Sequence, residues 1–172
     1  MADIKAIKGT NGTTYNLRDD YSVWGGENLF YLKNSVAGYL AGANGSITAQ
    51  STSKERTSEY IPVEPNTVYT LQTWYDTSNP TSSYNWVCLV WFDSTQTGIS
   101  QAVREHLQDI NYKKWELTSP SNAAYVRISG RWLEEGYRYT NIKFEKGHKA
   151  TDWSPCYKDI FSVTGTTLNV NL

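Results

Sequence analysis

One alternating stretch near the middle of the chain decides the fold: Val68-Tyr69-Thr70-Leu71-Gln72-Thr73-Trp74-Tyr75. Successive side chains of a β-strand point to opposite faces of the sheet. Tyr69 and Leu71 therefore share one face, and Gln72 and Trp74 share the other. The first face predicts burial in a core, and the polar company of Trp74 predicts that the second face is open to solvent. The stretch is typical of an antiparallel sheet that is covered on one side.

Short segments of the same kind, separated by turn residues, lie on both sides of this strand. They are residues 28–32, 47–51, 58–63, 86–93, 115–118, 124–133 and 140–145. Many short strands with almost no helix-length amphipathic stretch predict an all-β fold, a jelly-roll β-sandwich. One further segment, residues 100–109, has Val103 and Leu107 at helical spacing, and it predicts either a helical turn or a loop.

The predicted sandwich occupies residues 27–159 and has a short β-rich extension on each side. Residues 4–8 and 14–17 alternate on either side of a turn, so residues 1–26 are expected to form a hairpin and a linker. Residues 160–172 alternate again and predict a C-terminal extension.

Charge and metal-ligand content argue against several kinds of partner. Sixteen Lys and Arg residues face seventeen Asp and Glu residues, which gives a net charge of -1. We therefore expect neither nucleic acid nor a membrane as a partner. With only two Cys and two His in the chain, a zinc site or a disulfide framework is not expected either.

The aromatic content is high for so polar a chain. Seven Trp, thirteen Tyr and four Phe make up 14% of the residues, whereas only 39% of the chain is hydrophobic. Trp and Tyr combine a flat apolar face with a polar edge, which suits a wet binding surface. They also favour strands, so an aromatic sandwich core remains the alternative.

Saccharide binding uses flat aromatic faces against the C–H side of a sugar ring and planar polar groups for its hydroxyls. Several residues have this chemistry at positions predicted to be open. The candidate ligand-binding residues are Trp74, Gln72, Tyr125, Arg127, Arg131, Trp86 and Tyr84. Tyr125, Arg127 and Arg131 alternate with apolar residues on one predicted strand, and Trp86 follows a polar loop that contains Tyr84.

The segment Trp86-Val87-Cys88-Leu89-Val90-Trp91-Phe92 is apolar throughout. This composition predicts a central strand that is covered on both faces or that lies beneath a ligand groove. The favoured orientation places Val87, Leu89 and Trp91 in the core. Trp86 then lies on the opposite face, either at the rim of a site or in the core.

The last predicted strand continues into the sequence Asn141-Ile142-Lys143-Phe144-Glu145-Lys146-Gly147-His148-Lys149-Ala150-Thr151-Asp152-Trp153-Ser154-Pro155. This sequence resembles the closing strand of carbohydrate-binding modules in tail and baseplate proteins of phages of Gram-positive bacteria. In those modules a K-L-E-x-G strand runs into A-T-D-W-[ST]-P. Asn28-Leu29, Val68-Tyr69-Thr70-Leu71 and Trp91-Phe92-Asp93 agree with the same family, and the resemblance spans about residues 27–159.

The resemblance implies a non-catalytic module that binds host cell-wall polysaccharide and helps a phage tail adsorb. It implies a place in the virion tail beside other tail subunits, after synthesis in the host cytoplasm. A structural tail module that mediates only protein contacts is the alternative. No enzyme is expected, because the acidic residues are scattered over predicted loops and the histidines accompany no nucleophile motif.

Two expectations concern the ends of the sandwich. Trp153 is predicted to plug the sandwich end as a structural residue, because it follows a chain reversal. The resembling modules often carry a structural calcium ion where the first and last strands meet. Glu27, Asn28 and Asp152 could supply oxygen ligands there, although no closely spaced acidic loop supports a metal site.

Overall fold

The computed structural model describes residues 26–31, 34–48, 55–74, 86–107, 112–130, 141–154 and 156, and the backbone of four strands near the ends. The strands in chain order are β1 (Ala6–Lys8), β2 (Thr14–Asn16), β3 (Val36–Ala37), β4 (Tyr39–Ala41), β5 (Ser46–Thr48), β6 (Arg56–Thr57), β7 (Ile61–Pro62), β8 (Val68–Trp74), β9 (Trp86–Phe92), β10 (Gly98–His106), β11 (Tyr112–Thr118), β12 (Tyr125–Gly130), β13 (Asn141–Lys146), β14 (Phe161–Thr164) and β15 (Thr167–Val170). β1 pairs with β2 and β14 pairs with β15, so both terminal extensions contain a hairpin. The division of the chain at residues 26 and 160 stays a prediction.

The remaining strands form two main antiparallel sheets and one small hairpin. The larger sheet has the order β10-β9-β12-β6-β3, with β7 also paired to β12, and the smaller sheet has the order β11-β8-β13. From β8 to β13 the chain passes repeatedly from one sheet to the other, as a jelly roll requires. The predicted all-β sandwich is confirmed.

Apolar side chains from both sheets fill the space between them. Tyr69 and Leu71 of β8 meet Leu89 and Trp91 of β9, and all are buried. Phe144 of β13 stacks on Tyr69 with ring centroids 5.0 Å apart. The alternation predicted for β8 and the favoured orientation of β9 are therefore both correct in the core. For these aromatic residues the alternative interpretation is therefore correct, because they belong to the core of the sandwich and not to a wet surface.

The hairpin β4–β5 covers part of the outer face of the larger sheet. Leu40 of β4 is fully buried there, in a second apolar cluster with Cys88, Val90 and Phe92. The turn of this hairpin needs glycine at Gly45, which has φ +67° and lies so close that an added Cβ would stand 2.1 Å from Phe92 Cζ. A close backbone approach thus holds the hairpin on the sheet.

The prediction of a helical turn or loop over residues 100–109 is wrong, because β10 runs through most of it. Two register shifts interrupt its pairing with β9, one between Gly98 and Ser100 and one between Gln101 and Val103. Such bulges change which side chains face the core. Val103 and Leu107 are both buried in the core, and their spacing imitates that of a helix.

Three other segments differ from the sequence prediction. Residues 27–31 form no ladder strand, although Leu29 N–H donates to the Phe144 carbonyl at 2.7 Å. Residues 58–63, predicted as one strand, contain only the short strand β7, and β6 ends just before them at Thr57. The short strands β3 and β4 were not predicted, because Ser35, Gly38 and Gly42 give their sequence the composition of a loop.

Candidate functional site

A recess opens on the outer face of the larger sheet, beside the hairpin β4–β5. Its volume is about 210 Å³, and we call it the Trp86 pocket. The residues that line it are Tyr39, Leu40, Glu55, Trp86, Cys88, Arg104, Ser129 and Gly130. The pocket therefore joins two aromatic side chains, a guanidinium, a carboxylate and a hydroxyl in one concave site, which is the composition expected of a small polar ligand site.

Alternation along three neighbouring strands builds this pocket. Trp86 and Cys88 lie on the outer face of β9, opposite His106 and Arg104 of β10 in the register. Ser129 of β12 pairs with Cys88 on the other side. These residues share one face because paired residues in neighbouring strands point the same way.

Trp86 forms the rim of the pocket and is 37% exposed. The Arg104 guanidinium lies over its ring, with Cζ 5.6 Å from the ring centroid. The His106 ring lies 5.2 Å from the Trp86 ring, centroid to centroid, at an angle of 33°. A cation over an indole face is attracted by the ring's electron density, so Arg104 helps to fix the orientation of Trp86.

The floor of the pocket carries a buried thiol. Burial raises the pKa of the Cys88 thiol, and the Arg104 guanidinium and the Ser129 hydroxyl oppose that rise, while the Glu55 carboxylate adds to it. The thiol is therefore protonated at neutral pH and is a poor nucleophile. The Ser129 hydroxyl oxygen also accepts a hydrogen bond from the Leu40 N–H at 3.1 Å, which ties the hairpin to the sheet.

Tyr125 and Arg127 lie on the same sheet face as Trp86, but the expectation that they are open is wrong for Arg127. The Arg127 side chain is buried under Tyr60, with Cζ 4.6 Å from the ring centroid, and its Nε–H donates to the Ser58 carbonyl at 2.9 Å. Tyr125 is half-buried against the edge of the same Tyr60 ring. The candidates Arg131 and Tyr84 lie outside the described residues.

Gln72 and Trp74 lie on the outer face of the smaller sheet, on the opposite side of the sandwich. Trp74 is half-buried and packs against Tyr112, with ring centroids 5.2 Å apart. Gln72 is only 2% exposed, so the prediction of an open position is wrong for it. The predicted candidates therefore do not form one surface, and the structure separates them between two faces.

A buried polar network explains why this second face is closed. Residues 147–154, which we call the closing segment, fold back over β8 and β13. Thr151 N–H and Gln72 Nε2–H both donate to Glu145 Oε1, at 2.9 and 2.8 Å. Lys143 Nζ donates to Thr151 Oγ1 and to the Asp152 carbonyl, each at 2.7 Å. Thr151 is thus the central residue of the network.

Lys143 and Glu145 point away from the core, but they do not meet solvent. Lys143 Nζ lies 3.6 Å from Glu145 Oε2, and the two side chains are 0% and 1% exposed. Burial lowers the pKa of the Lys143 ammonium, and the Glu145 carboxylate opposes that shift. Strand β13 therefore supplies a buried ion pair, and the closing segment that follows it supplies Thr151, which hydrogen-bonds to both members of the pair.

The structural role predicted for Trp153 is wrong. Its side chain is 43% exposed, so it does not plug the end of the sandwich. Thr151, two residues earlier, makes the contacts that hold the closing segment in place. A small polar residue supplies them because the face beneath it is charged.

The predicted calcium ligands occupy three different environments. Asn28 is buried, and its Oδ1 accepts hydrogen bonds from the N–H groups of Phe30 and Phe144, at 3.0 and 3.1 Å. Glu27 and Asp152 are exposed. Binding of calcium here stays a prediction, and Asn28 would have to release backbone hydrogen bonds to take part.

Among the described residues, no group of three or more Cys, His, Asp and Glu side chains is placed to hold a metal ion. The same residues include no helix that is long and apolar enough to cross a membrane.

No family model matches the chain. A portion of 136 residues, 79% of the chain, is 34% identical to the tail fiber protein of Enterococcus phage phiEF24C. The chain is thus related to part of a phage tail fiber protein. The matched portion covers only 7% of that relative's length, so the similarity concerns one segment of a much longer protein.

For one common reason, three residues of the Trp86 pocket were not found from the sequence: Arg104, Glu55 and Tyr39. Arg104 belongs to β10, Tyr39 belongs to β4 and Glu55 directly precedes β6, and none of these strands was predicted. The spacing of Arg104 and His106 on one face was a usable signal, because two residues separate equivalent positions on a strand. The bulges in β10 concealed it.

Proposed function

We propose that the chain is a non-catalytic carbohydrate-binding module of a phage tail fiber and that it holds the virion tail on host cell-wall polysaccharide. The observation that carries the proposal is the Trp86 pocket. Trp86 offers a partly open indole face for the C–H side of a sugar, and Arg104 and Glu55 lie beside it as planar partners for hydroxyl groups.

The size of the pocket favours weak binding of a single sugar unit. A volume of about 210 Å³ is below the range of about 300–1,000 Å³ that is typical of drug-sized ligand sites. Many copies on one virion would convert such weak contacts into firm attachment.

The carboxylate content of the described pocket lining favours binding without hydrolysis. Glycosidases use two carboxyl groups on either side of the scissile bond. Glu55 is the one carboxylate among the described residues that line the pocket. Incubation with purified cell walls should therefore release no reducing ends, and release that is abolished by Glu55→Gln would show an enzyme instead.

The direct test is labelling of intact enterococcal cells by a fluorescent fusion of the chain. We expect labelling of particular strains, and we expect Trp86→Ala to weaken it about tenfold or more, since interface aromatics often contribute most of the binding energy. Trp153→Ala is the matched control, because it removes an exposed indole that does not line the pocket. Thermal melts of both variants show whether a loss of labelling is caused by unfolding. Undiminished labelling by folded Trp86→Ala would contradict the proposal.

A structural tail module is the second candidate, and one observation favours it. Several large apolar side chains outside the pocket are at least 36% exposed: Val36, Ile47, Tyr112 and Trp153. Exposed apolar residues can form contacts with neighbouring tail subunits. Sedimentation analysis distinguishes the two functions, because contacts between copies would produce a concentration-dependent oligomer that Trp153→Ala or Tyr112→Ala weakens.

A further inference from the structure

Arg104 differs from the other arginines that the structure describes. Arg56 donates to Ser35 through Nε–H and Nη2–H, and Arg127 donates to Ser58 while lying under Tyr60. Arg104 is exposed at the pocket mouth, and its guanidinium makes no hydrogen bond or ion pair within the described part of the chain. Within that part of the chain, the Trp86 ring is the group that holds the guanidinium in place.

Two acidic residues lie near Arg104 in the described part of the chain, and neither forms an ion pair with it. Glu105 points to the opposite face of the strand, where it binds Lys113 Nζ at 2.9 Å and accepts a hydrogen bond from Trp115 Nε1–H at 3.1 Å. Glu55 lines the same pocket, and the ion pairs between described residues include none that joins it to Arg104. An exposed guanidinium that lies over an aromatic ring and forms no ion pair with a described residue is a ready partner for an anion, because its planar N–H donors match carboxylate and phosphate oxygens.

The charges that act on the thiol at the pocket floor can also be compared. At the Cys88 thiol, the Arg104 guanidinium acts more strongly than the Glu55 carboxylate, although both line the pocket.

We infer that the Trp86 pocket selects a saccharide that carries an anionic group, with the sugar ring on Trp86 and the anion on the Arg104 guanidinium. This inference rests on the proposed function and adds the charge of the ligand to it. The anion is a phosphodiester or a carboxylate, since both offer oxygens to the same donors.

The test uses wall polysaccharide purified from a strain that the fusion labels and immobilised on a surface. One portion stays untreated, one is treated with hydrofluoric acid to remove phosphodiesters, and one is amidated with carbodiimide to neutralise carboxylates. Wild type is compared with Arg104→Gln, Arg104→Lys and Trp86→Ala. Lys114→Gln is the control, because it removes an exposed charge of the same sign from the smaller sheet.

We expect Arg104→Gln to weaken binding to untreated polysaccharide about tenfold or more, as the loss of a charged hydrogen bond predicts. Arg104→Lys should retain part of the affinity, and Lys114→Gln should bind like wild type. One chemical treatment should abolish the difference between wild type and Arg104→Gln, and which treatment does so identifies the anion.

Two other outcomes separate this inference from the proposed function. If Arg104→Gln binds within about twofold of wild type while Trp86→Ala loses binding, the pocket holds a neutral sugar and only the inference is wrong. If both variants bind like wild type, the pocket is not the site and the proposed function fails with the inference.

Discussion

The outer faces of the two sheets carry similar residues but differ in what covers them. On the smaller sheet, Lys143 and Glu145 satisfy each other beneath the closing segment, and Gln72 is buried with them. On the larger sheet, the hairpin β4–β5 covers only part of the face, and Trp86 and Arg104 remain at an open pocket. Polar residues on the outer side of a strand therefore do not identify a binding surface until the cover of that strand is known.

The largest expected effect is the loss of the buried ion pair on the smaller sheet. Glu145→Leu leaves the Lys143 ammonium buried without its carboxylate, which should destabilise the fold by about 3–5 kcal/mol. The melting temperature should fall by roughly 10 °C. Calorimetry of the single variant measures this effect.

The double variant Lys143→Met/Glu145→Leu is the informative control. It replaces both charges by apolar groups of similar size and should recover much of the lost stability. Glu116→Gln, at an exposed pair with His148, should change stability by less than about 0.5 kcal/mol. A Glu145→Leu protein that melts like wild type would show that the closing segment is not held as described.

A single methyl group added to the turn of the hairpin β4–β5 should lower the stability of the protein. Gly45→Ala places a Cβ against Phe92 at a position with φ +67°, so we expect a loss of about 2–4 kcal/mol in denaturant unfolding. Gly42→Ala has a similar φ of +69°, but its Cβ would make only an ordinary van der Waals contact with Asn44 Oδ1 at 3.8 Å, and it should cost only about 1 kcal/mol. Equal costs for the two variants would mean that the turn does not pack on Phe92.

A small effect is expected for Trp153→Ala. The side chain is 43% exposed, so stability should change by less than about 0.5 kcal/mol. Differential scanning fluorimetry is sufficient to measure this. A drop of many degrees would restore the structural role that the sequence predicted for this indole.

The smallest effect concerns pH and the turn between β9 and β10. Hydrogen bonds from the Thr95 hydroxyl and from the Thr97 and Thr95 N–H groups lower the pKa of Asp93. A lowered pKa contributes stability that is present above the ordinary value of 3.8 and is lost as the pH falls through the folded-state value. The stability difference between wild type and Asp93→Asn should therefore be present at neutral pH and shrink below that ordinary value. A difference that grows on acidification would have the wrong sign for this account.

The sequence predicted most of the fold because alternation controls both the core and the strand directions. Tyr69, Leu71, Leu89 and Phe144 reached the core as their spacing required. The sequence could not predict which outer face is covered, because residues 147–154 lie far in the chain from β8 and the hairpin β4–β5 lies far in the chain from β9. Gln72 and Trp153 were misplaced for that reason. The favoured orientation correctly placed Trp86 on the face of β9 opposite Val87, Leu89 and Trp91, but it left open whether Trp86 lies at a rim or in the core. Its partner Arg104 was concealed by the bulges of β10.

The measurement that tests the central claim most directly is a titration of isotope-labelled protein with soluble wall polysaccharide fragments, followed through the indole N–H signals of the seven tryptophans. Single Trp→Phe variants at positions 74, 86 and 153 assign the three signals that matter. We predict that the Trp86 signal moves on titration while those of Trp74 and Trp153 stay in place. Movement of the Trp74 or Trp153 signal with Trp86 unaffected would place the ligand on another surface and contradict the assignment of the site.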